Sequence, residues 1–428
     1  KGTRDLYEVP FERRSDNFVV RWGEELTFDD AQIDNLLESL ELGWRVEMGE
    51  MGHPPPYGSD ALRFNVYIGN TGGGAPEISG AAGYYTPDDD GWPMIVIAPE
   101  TVWDPLLTEG TAVHELYHAV QDSLARFTYQ DRAAWFWEAT AEWASMEAIP
   151  ENPYAGQFAF GYLMLPGLPV DFFDYPDRGD LQEYHQYGAF LFPLELTERV
   201  GWELVRDAWS VPGDEDDPLE VMRSWLAERG EDLDALWLDH IARAAVLDFP
   251  FRARLAEQLA YAEIAWPDTD RVVVSVDPAG EQGTVRGFDA PGRYGAAVLH
   301  VPAADPGTVQ VVVTGHEVGT RGAAPRFGAR VVRFDGFGDP LFTPLVFDGL
   351  RGEAALADVQ LDEELYVVVG AWSDDASHWD TERFPFDWSV VVEPPAAPED
   401  EAARACGCAH GGPAGWALLL PWWRRRRS

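Results

Sequence analysis

Two histidines stand four positions apart in "AVHELYHAVQD", residues 112–122, and a glutamate directly follows the first. At roughly 100° per helical residue, His114 and His118 fall about 40° apart, at the edge of an apolar face. That face is built from Val113, Leu116, Tyr117, Val120 and Leu124. One metal ion can take an imidazole nitrogen from each histidine. Glu115 points to another azimuth, from which it can reach a water on that ion. The chemistry is metal-assisted hydrolysis, provided a third ligand exists.

A third histidine at the spacing some zinc peptidases use is missing, since Gln121 holds the glycine position and Leu124 the final histidine position. A glutamate on a following helix is the other solution. "WFWEATAEWAS", residues 135–145, carries Glu138 and Glu142 on one helical face, with Trp135, Trp137 and Trp143 to pack it. His114, His118 and Glu138 then form a three-ligand set with one position open for water, the mark of a catalytic zinc site. Glu142, one turn on, is placed to accept a ring N–H from a liganding histidine and fix its tautomer.

With these residues in place, the chain resembles the gluzincin metallopeptidases, the thermolysin-like enzymes among them. The close likeness covers about 35 residues. It implies His114, His118 and Glu138 as zinc ligands and Glu115 as general base for a zinc-activated water. Glu142 stands where the family usually has Asp. Gluzincins commonly supply a Tyr or His from a later segment to the developing oxyanion. "EYHQYGAF" offers Tyr184, His185 and Tyr187. A looser likeness to secreted metallopeptidases of myxobacterial type runs through "FNVYIGNTGG" and "HQYGAFLFPLEL".

The elements that must position these groups are read from periodicity. Residues 24–50 read as a helix with Thr27 as N-cap and Ile33, Leu36, Leu37, Leu40 and Trp44 at helical spacing. Strands are expected at 62–69, 80–86 and 93–99. The acidic turn 88–91 has no ligand pattern that would support calcium. The small, Gly-rich segment 80–86 offers an edge that a substrate backbone could join. A long helical stretch follows from about 105 to 260, in which "DEDDP" (214–218) reads as a solvated loop and helix start. From about 271 to 393, short β-branched runs separated by Gly, Pro and Asp read as an all-β sandwich. The expected fold is α+β: a gluzincin-like catalytic domain over 1–262, with a sheet-containing part (1–100) and a helical part (101–262). A β-sandwich (268–394) and a linker with C-terminal tail (395–428) follow.

The 428 residues carry a formal charge of -43 and one lysine, Lys1. Such a surface repels phosphate backbones and excludes nucleic acid as a partner. Solubility and adaptation to high salt both account for the acidity. The two cysteines, Cys406 and Cys408, leave the body without disulfides and cannot alone form a thiolate zinc site. The 18 tryptophans sit mostly at helical spacing among apolar residues, which favours core packing over sugar stacking. No G-x-S-x-G or phosphate-cradling loop occurs. A start at Lys1 reads as a removed leader or a fragment.

No run of about 20 apolar residues is long enough to span a membrane. The tail "CGCAHGGPAGWALLLPWWRRRRS" is similar to a MYXO-CTERM sorting tail, with an apolar run shorter than usual. The similarity implies export, transient membrane association and processing near Cys406 or Cys408. The expected protein is a secreted or surface zinc peptidase acting on proteins or peptides. A non-catalytic surface binding or adhesion protein on the same fold, and a zinc hydrolase of non-peptide bonds, remain as alternatives.

Overall fold

The computed structural model describes residues 1–124, 126–127, 131–174, 180–210, 217–267, 269, 273–302, 306–334, 338–360 and 363–393. Residues 214–216 of the acidic segment, and the tail with Cys406 and Cys408, lie outside these. The chain is a mixed α+β protein.

The N-terminal sheet has the order β1 (Phe11–Arg14), β2 (Phe18–Trp22), β3 (Phe64–Ile68), β5 (Pro93–Ile97), β4 (Gly83–Pro87). β2, β3 and β5 run parallel, and β1 and β4 close the edges antiparallel. The parallel crossover from β2 to β3 is made by α1 (Asp30–Trp44). Its N-cap is Asp29, two residues beyond the expected Thr27. Asp29 accepts from the amide of Gln32, and the Gln32 side chain accepts from the amide of Asp29. That reciprocal capping box satisfies two orphan donors, which a lone threonine two residues earlier would not. The helix also ends sooner than expected, passing at Trp44 into a π-helical turn, Arg45–Glu50.

α2 (Pro99–Trp103) leads into α3 (Pro105–Leu124), which carries the histidine pair. α3 is buried on two sides. Ala112, Leu116 and Ala119 join Phe64, Val66, Ile68, Ile95 and Ile97 of the sheet in one core. Val113 and Tyr117 join α4 (Ala134–Ala148) in another. The histidines occupy the seam between these two contacts. Helices α5 (Ala159–Met164), α6 (His185–Gly188), α7 (Leu191–Val200), α8 (Glu203–Ser210), α9 (Pro218–Ala227), α10 (Leu233–Ala245) and α11 (Arg252–Ala265) complete this half. Trp135, Trp143, Trp209 and Trp237 are fully buried there.

Strands β6 (Val273–Ser275), β7 (Gly280–Val285), β8 (Gly295–Val301), β9 (Gly307–Gly315), β10 (Arg326–Phe334), β11 (Leu341–Pro344), β12 (Val346–Asp348), β13 (Arg351–Val359), β14 (Glu364–Trp372) and β15 (Phe386–Glu393) form two five-stranded sheets. Their orders are β11-β10-β14-β8-β6 and β12-β13-β9-β15-β7. Alternating residues, among them Val309, Val311 and Val313 of β9 and Leu365, Val367 and Val369 of β14, fill one core between the sheets.

The first sheet also packs outward onto α10. Val298, Val332 and Val368 belong to the same core as Trp237 and Ile241. Gly328 permits this docking, because a Cβ there would lie 2.3 Å from Cδ1 of Leu238. Polar groups seal the contact. Arg293 Nη1 donates to Asp171 at 2.7 Å and Nη2 to Asp217 at 2.9 Å, all three side chains being buried. Asp217, expected in a solvated loop, is instead buried. It caps α9 through the amide of Leu219 and also accepts from Arg132. Two guanidinium partners make its burial tolerable.

Candidate metal centre

One turn of α3 separates His114 from His118 and sets their Nε2 atoms 3.1 Å apart. α4 brings Glu138 across, its Oε2 3.4 Å from Nε2 of His114 and 3.5 Å from Nε2 of His118. Ligands about 2.0–2.1 Å from a tetrahedral ion are spaced about 3.3–3.4 Å from one another. The three donor atoms form such a face, so the residues fit a tetrahedral metal ion. These three groups are positioned to hold one. The two histidine side chains keep 13% and 11% of their exposure, so solvent reaches the open side.

Both histidines have a polar side chain behind them. Gln121 Oε1 lies 2.7 Å from Nδ1 of His118, and Gln121 Nε2 donates to the Trp137 carbonyl at 2.9 Å and to Thr140 Oγ1 at 2.8 Å. An amide oxygen can only accept, so Nδ1 of His118 carries the proton and Nε2 presents its lone pair. In the sequence Gln121 stands out only as a departure from the glycine of the three-histidine pattern. Its i+3 spacing from His118 was the available signal. Glu142 sits behind His114, Oε1 3.6 Å from Nδ1, while its Oε2 accepts from the amide of Gly156 at 2.8 Å.

Three buried carboxylates surround two imidazoles. Burial works against charge on His114, but Glu138, Glu142 and Glu115 outweigh it and raise its pKa to about 9. Burial likewise opposes ionisation of Glu138, and the two histidines overcome it, holding the carboxyl far below its ordinary range. The pocket therefore concentrates negative charge where a cation would sit.

Glu115 is buried and lies against β4, with the backbone of Tyr85 favouring its charged form. Burial raises its pKa, with the histidines pulling the other way. Gly83 makes this approach of strand and helix feasible. A Cβ there would fall 2.7 Å from Cγ2 of Thr111 and 3.2 Å from Cγ of Glu115.

The later segment divides. Tyr187 stacks beside His114 with ring centroids 6.2 Å apart, and burial plus the carboxylates of Glu138, Glu115 and Glu142 hold its hydroxyl proton firmly. His185, two residues earlier on α6, is fully buried, and its ring packs against Tyr162 and Phe172. Burial lowers its pKa to about 3. Tyr184 packs against Phe158, Phe160 and Trp266. Of the three aromatics, the structure brings Tyr187 to the centre.

Fold and site together define an α+β protein with a buried two-histidine, one-carboxylate centre. The chain belongs to the family of unknown function DUF6055, whose match spans residues 4–388. No curated protein matches it. Among solved structures, it is similar to the pre-peptidase C-terminal domain of a collagenase from Bacillus anthracis, at 14% identity and a TM-score of 0.18, covering 28% of this chain and 93% of that one. A family GH115 4-O-methyl-α-glucuronidase with specificity for decorated arabinogalactans matches at 8% identity and a TM-score of 0.16. That match covers 68% of this chain and 39% of the glucuronidase. Likenesses this distant carry no argument about fold or activity.

Proposed function

We propose that the protein is a zinc-dependent peptidase of gluzincin type. The observation that supports this best is the triangle of donor atoms on His114, His118 and Glu138, with edges of 3.1, 3.4 and 3.5 Å, beside the buried carboxylate of Glu115. Bound zinc lowers the pKa of water and polarises a carbonyl. Glu115, its pKa raised by burial, takes the proton of the attacking water and returns it to the leaving amine. Tyr187, whose ring stacks beside His114, keeps its proton and would donate it in a hydrogen bond to the oxygen on which charge develops. β4 forms the outer edge of its sheet and passes directly over Glu115, where an extended substrate backbone can align. The tail beyond residue 394 supports action outside the cell or at its surface through its likeness to a sorting signal.

The test compares wild type with Glu115→Gln for zinc content and for cleavage of casein and of a mixed peptide set. Equal zinc in both, with cleavage reduced at least about a hundredfold in the variant, is expected. Wild type that holds zinc yet cleaves no peptide would sink the reading. Ester hydrolysis in that protein would then mark a non-peptide hydrolase, and inactivity on both a binding protein.

A further inference from the structure

A groove of about 600 Å³ opens beside α5 and α11 and has no part in the chemistry above. Its wall is aromatic. Phe160 stacks on Trp266 at 5.4 Å, Tyr184 meets Trp266 at 5.6 Å, and Tyr261 meets Phe160 at 6.1 Å. Tyr261 remains 60% exposed, so its face is presented to whatever enters.

The polar groups of the groove are mainly acceptors. Glu151 and Glu257 are exposed carboxylates on its border. Gln258 donates to the carbonyl of Gly156 at 3.1 Å, and its buried Oε1 has no hydrogen-bond partner among the described residues. The groove's own cation, Arg254, is turned into the wall. Its Nη1 donates to the carbonyls of Pro150 and Asn152 at 3.0 and 3.1 Å, and its Nη2 faces the sulfur of Met146. Aromatic faces and two exposed carboxylates therefore remain for a ligand.

A planar cation that only donates, and that stacks on aromatic rings, satisfies both features. A neutral aromatic side chain would leave the carboxylates without a donor, and a sugar's hydroxyls would donate to them but leave their charge unneutralised. An ammonium group would meet the charge but not the planar stack.

We infer that this groove binds an arginine side chain, and that it serves as a substrate subsite of the peptidase. The second clause rests on the proposed function; the first does not. The link to the metal centre is physical. Phe158 touches Tyr184 in the groove at 5.1 Å and Tyr187 at 5.2 Å, and Tyr187 lies 6.2 Å from His114. From Tyr261, where the arginine would stack, the ring path runs through Phe160 at 6.1 Å and Phe158 at 6.2 Å before reaching Tyr187 and His114, and at about 3.3–3.6 Å per extended residue it corresponds to about seven residues of peptide.

Binding is measured by calorimetry on the full-length, zinc-loaded chain carrying Glu115→Gln, so that peptide is not consumed. The probes are a blocked tetrapeptide containing arginine and the same peptide with citrulline, which keeps the shape but loses the charge. The arginine peptide should bind roughly tenfold or more tightly, and Tyr261→Ala and Glu257→Gln should each remove most of that preference. Both substitutions lie at exposed positions, so loss of fold does not confuse the result. Equal affinity for the two peptides, or a preference untouched by both substitutions, overturns the inference. A positional scan of arginine through a peptide that wild type cleaves then tests the subsite. A rise in kcat/KM at one position within about seven residues of the cut is expected, and a flat scan overturns the subsite. Selective arginine binding without cleavage of any peptide supports the groove as a site while overturning the peptidase reading.

Discussion

Gln121 Oε1 sits 2.7 Å from Nδ1 of His118, and the same amide donates to the Trp137 carbonyl and to Thr140. The side chain therefore fixes one imidazole on α3 and ties α3 to the helix that carries Glu138. Gln121→Met keeps the volume and removes both functions. Zinc affinity should fall about 10–100-fold, as for other losses of a group behind a metal-binding histidine. Competition with a chromogenic chelator measures this. Unchanged affinity would mean that packing alone sets the ring.

Under the proposed function, metal binding and folding are linked through Glu138, whose carboxylate closes the triangle from α4. An ion that binds only the folded chain stabilises it by about 2.7 kcal/mol when present at about 100 times its Kd. Chelation should lower the thermal midpoint of wild type, and added zinc should restore it. Glu138→Ala should lose most of the zinc-dependent rise, because two imidazoles remain without the third ligand. Calorimetric scans with and without zinc check this, and a full zinc response in Glu138→Ala would reject Glu138 as a ligand.

The residues of the centre were readable because helical spacing is a rigid ruler. The i, i+4 pairs His114–His118 and Glu138–Glu142 must each share a face, and only their meeting in space required the structure. Gln121 was harder, since a glutamine three residues after a histidine has meaning only once its second partner, on another helix, is known. His185 and Tyr187 looked alike in sequence, yet two residues on a helix face opposite ways, and burial took His185 into the core. Several strands escaped notice for a different reason. β1 is an exposed edge strand, and β13 pairs through a register shift between Leu356 and Val359, so neither presents a clean alternation. The docking of α10 onto the outer face of the β10–β14 sheet had no local signal, because it depends on the absent side chains of Gly328 and Gly370.

That docking is sealed by the buried guanidinium of Arg293 against Asp171 and Asp217. Burial raises the Asp171 pKa to about 7 even with Arg293 opposing it. Arg293→Met would strand the Asp171 carboxyl, and breaking one side of such a pair costs about 3–5 kcal/mol. The urea midpoint should drop accordingly. Arg293→Met combined with Asp171→Leu should recover much of the loss, since the uncompensated charge is then gone. A double variant as unstable as the single would show that the guanidinium acts through Asp217 instead.

Two buried groups near α3 should tilt stability with pH in opposite directions. His53 is 3% exposed, with Nε2 3.2 Å from the Tyr117 hydroxyl. Burial, helped by the charge of Arg206, lowers its pKa to about 4. On acidification the unfolded chain takes up this proton first, near the ordinary value of 6.5, so the stability it contributes is complete above 6.5 and lost as pH falls toward 4. At about 1.4 kcal/mol per pH unit the whole effect is about 3 kcal/mol. Glu47 is the converse: both carboxylate oxygens are buried without a hydrogen-bond partner among the described residues, and burial drives its pKa well up. The folded chain keeps a proton that the unfolded chain releases, so stability falls as pH rises above the ordinary carboxylate range. Glu47→Gln should therefore stabilise the protein at alkaline pH, and His53→Gln should flatten the acid limb of the stability profile. Urea midpoints measured across pH decide both, and parallel profiles for wild type and variants would assign the pH dependence to other groups.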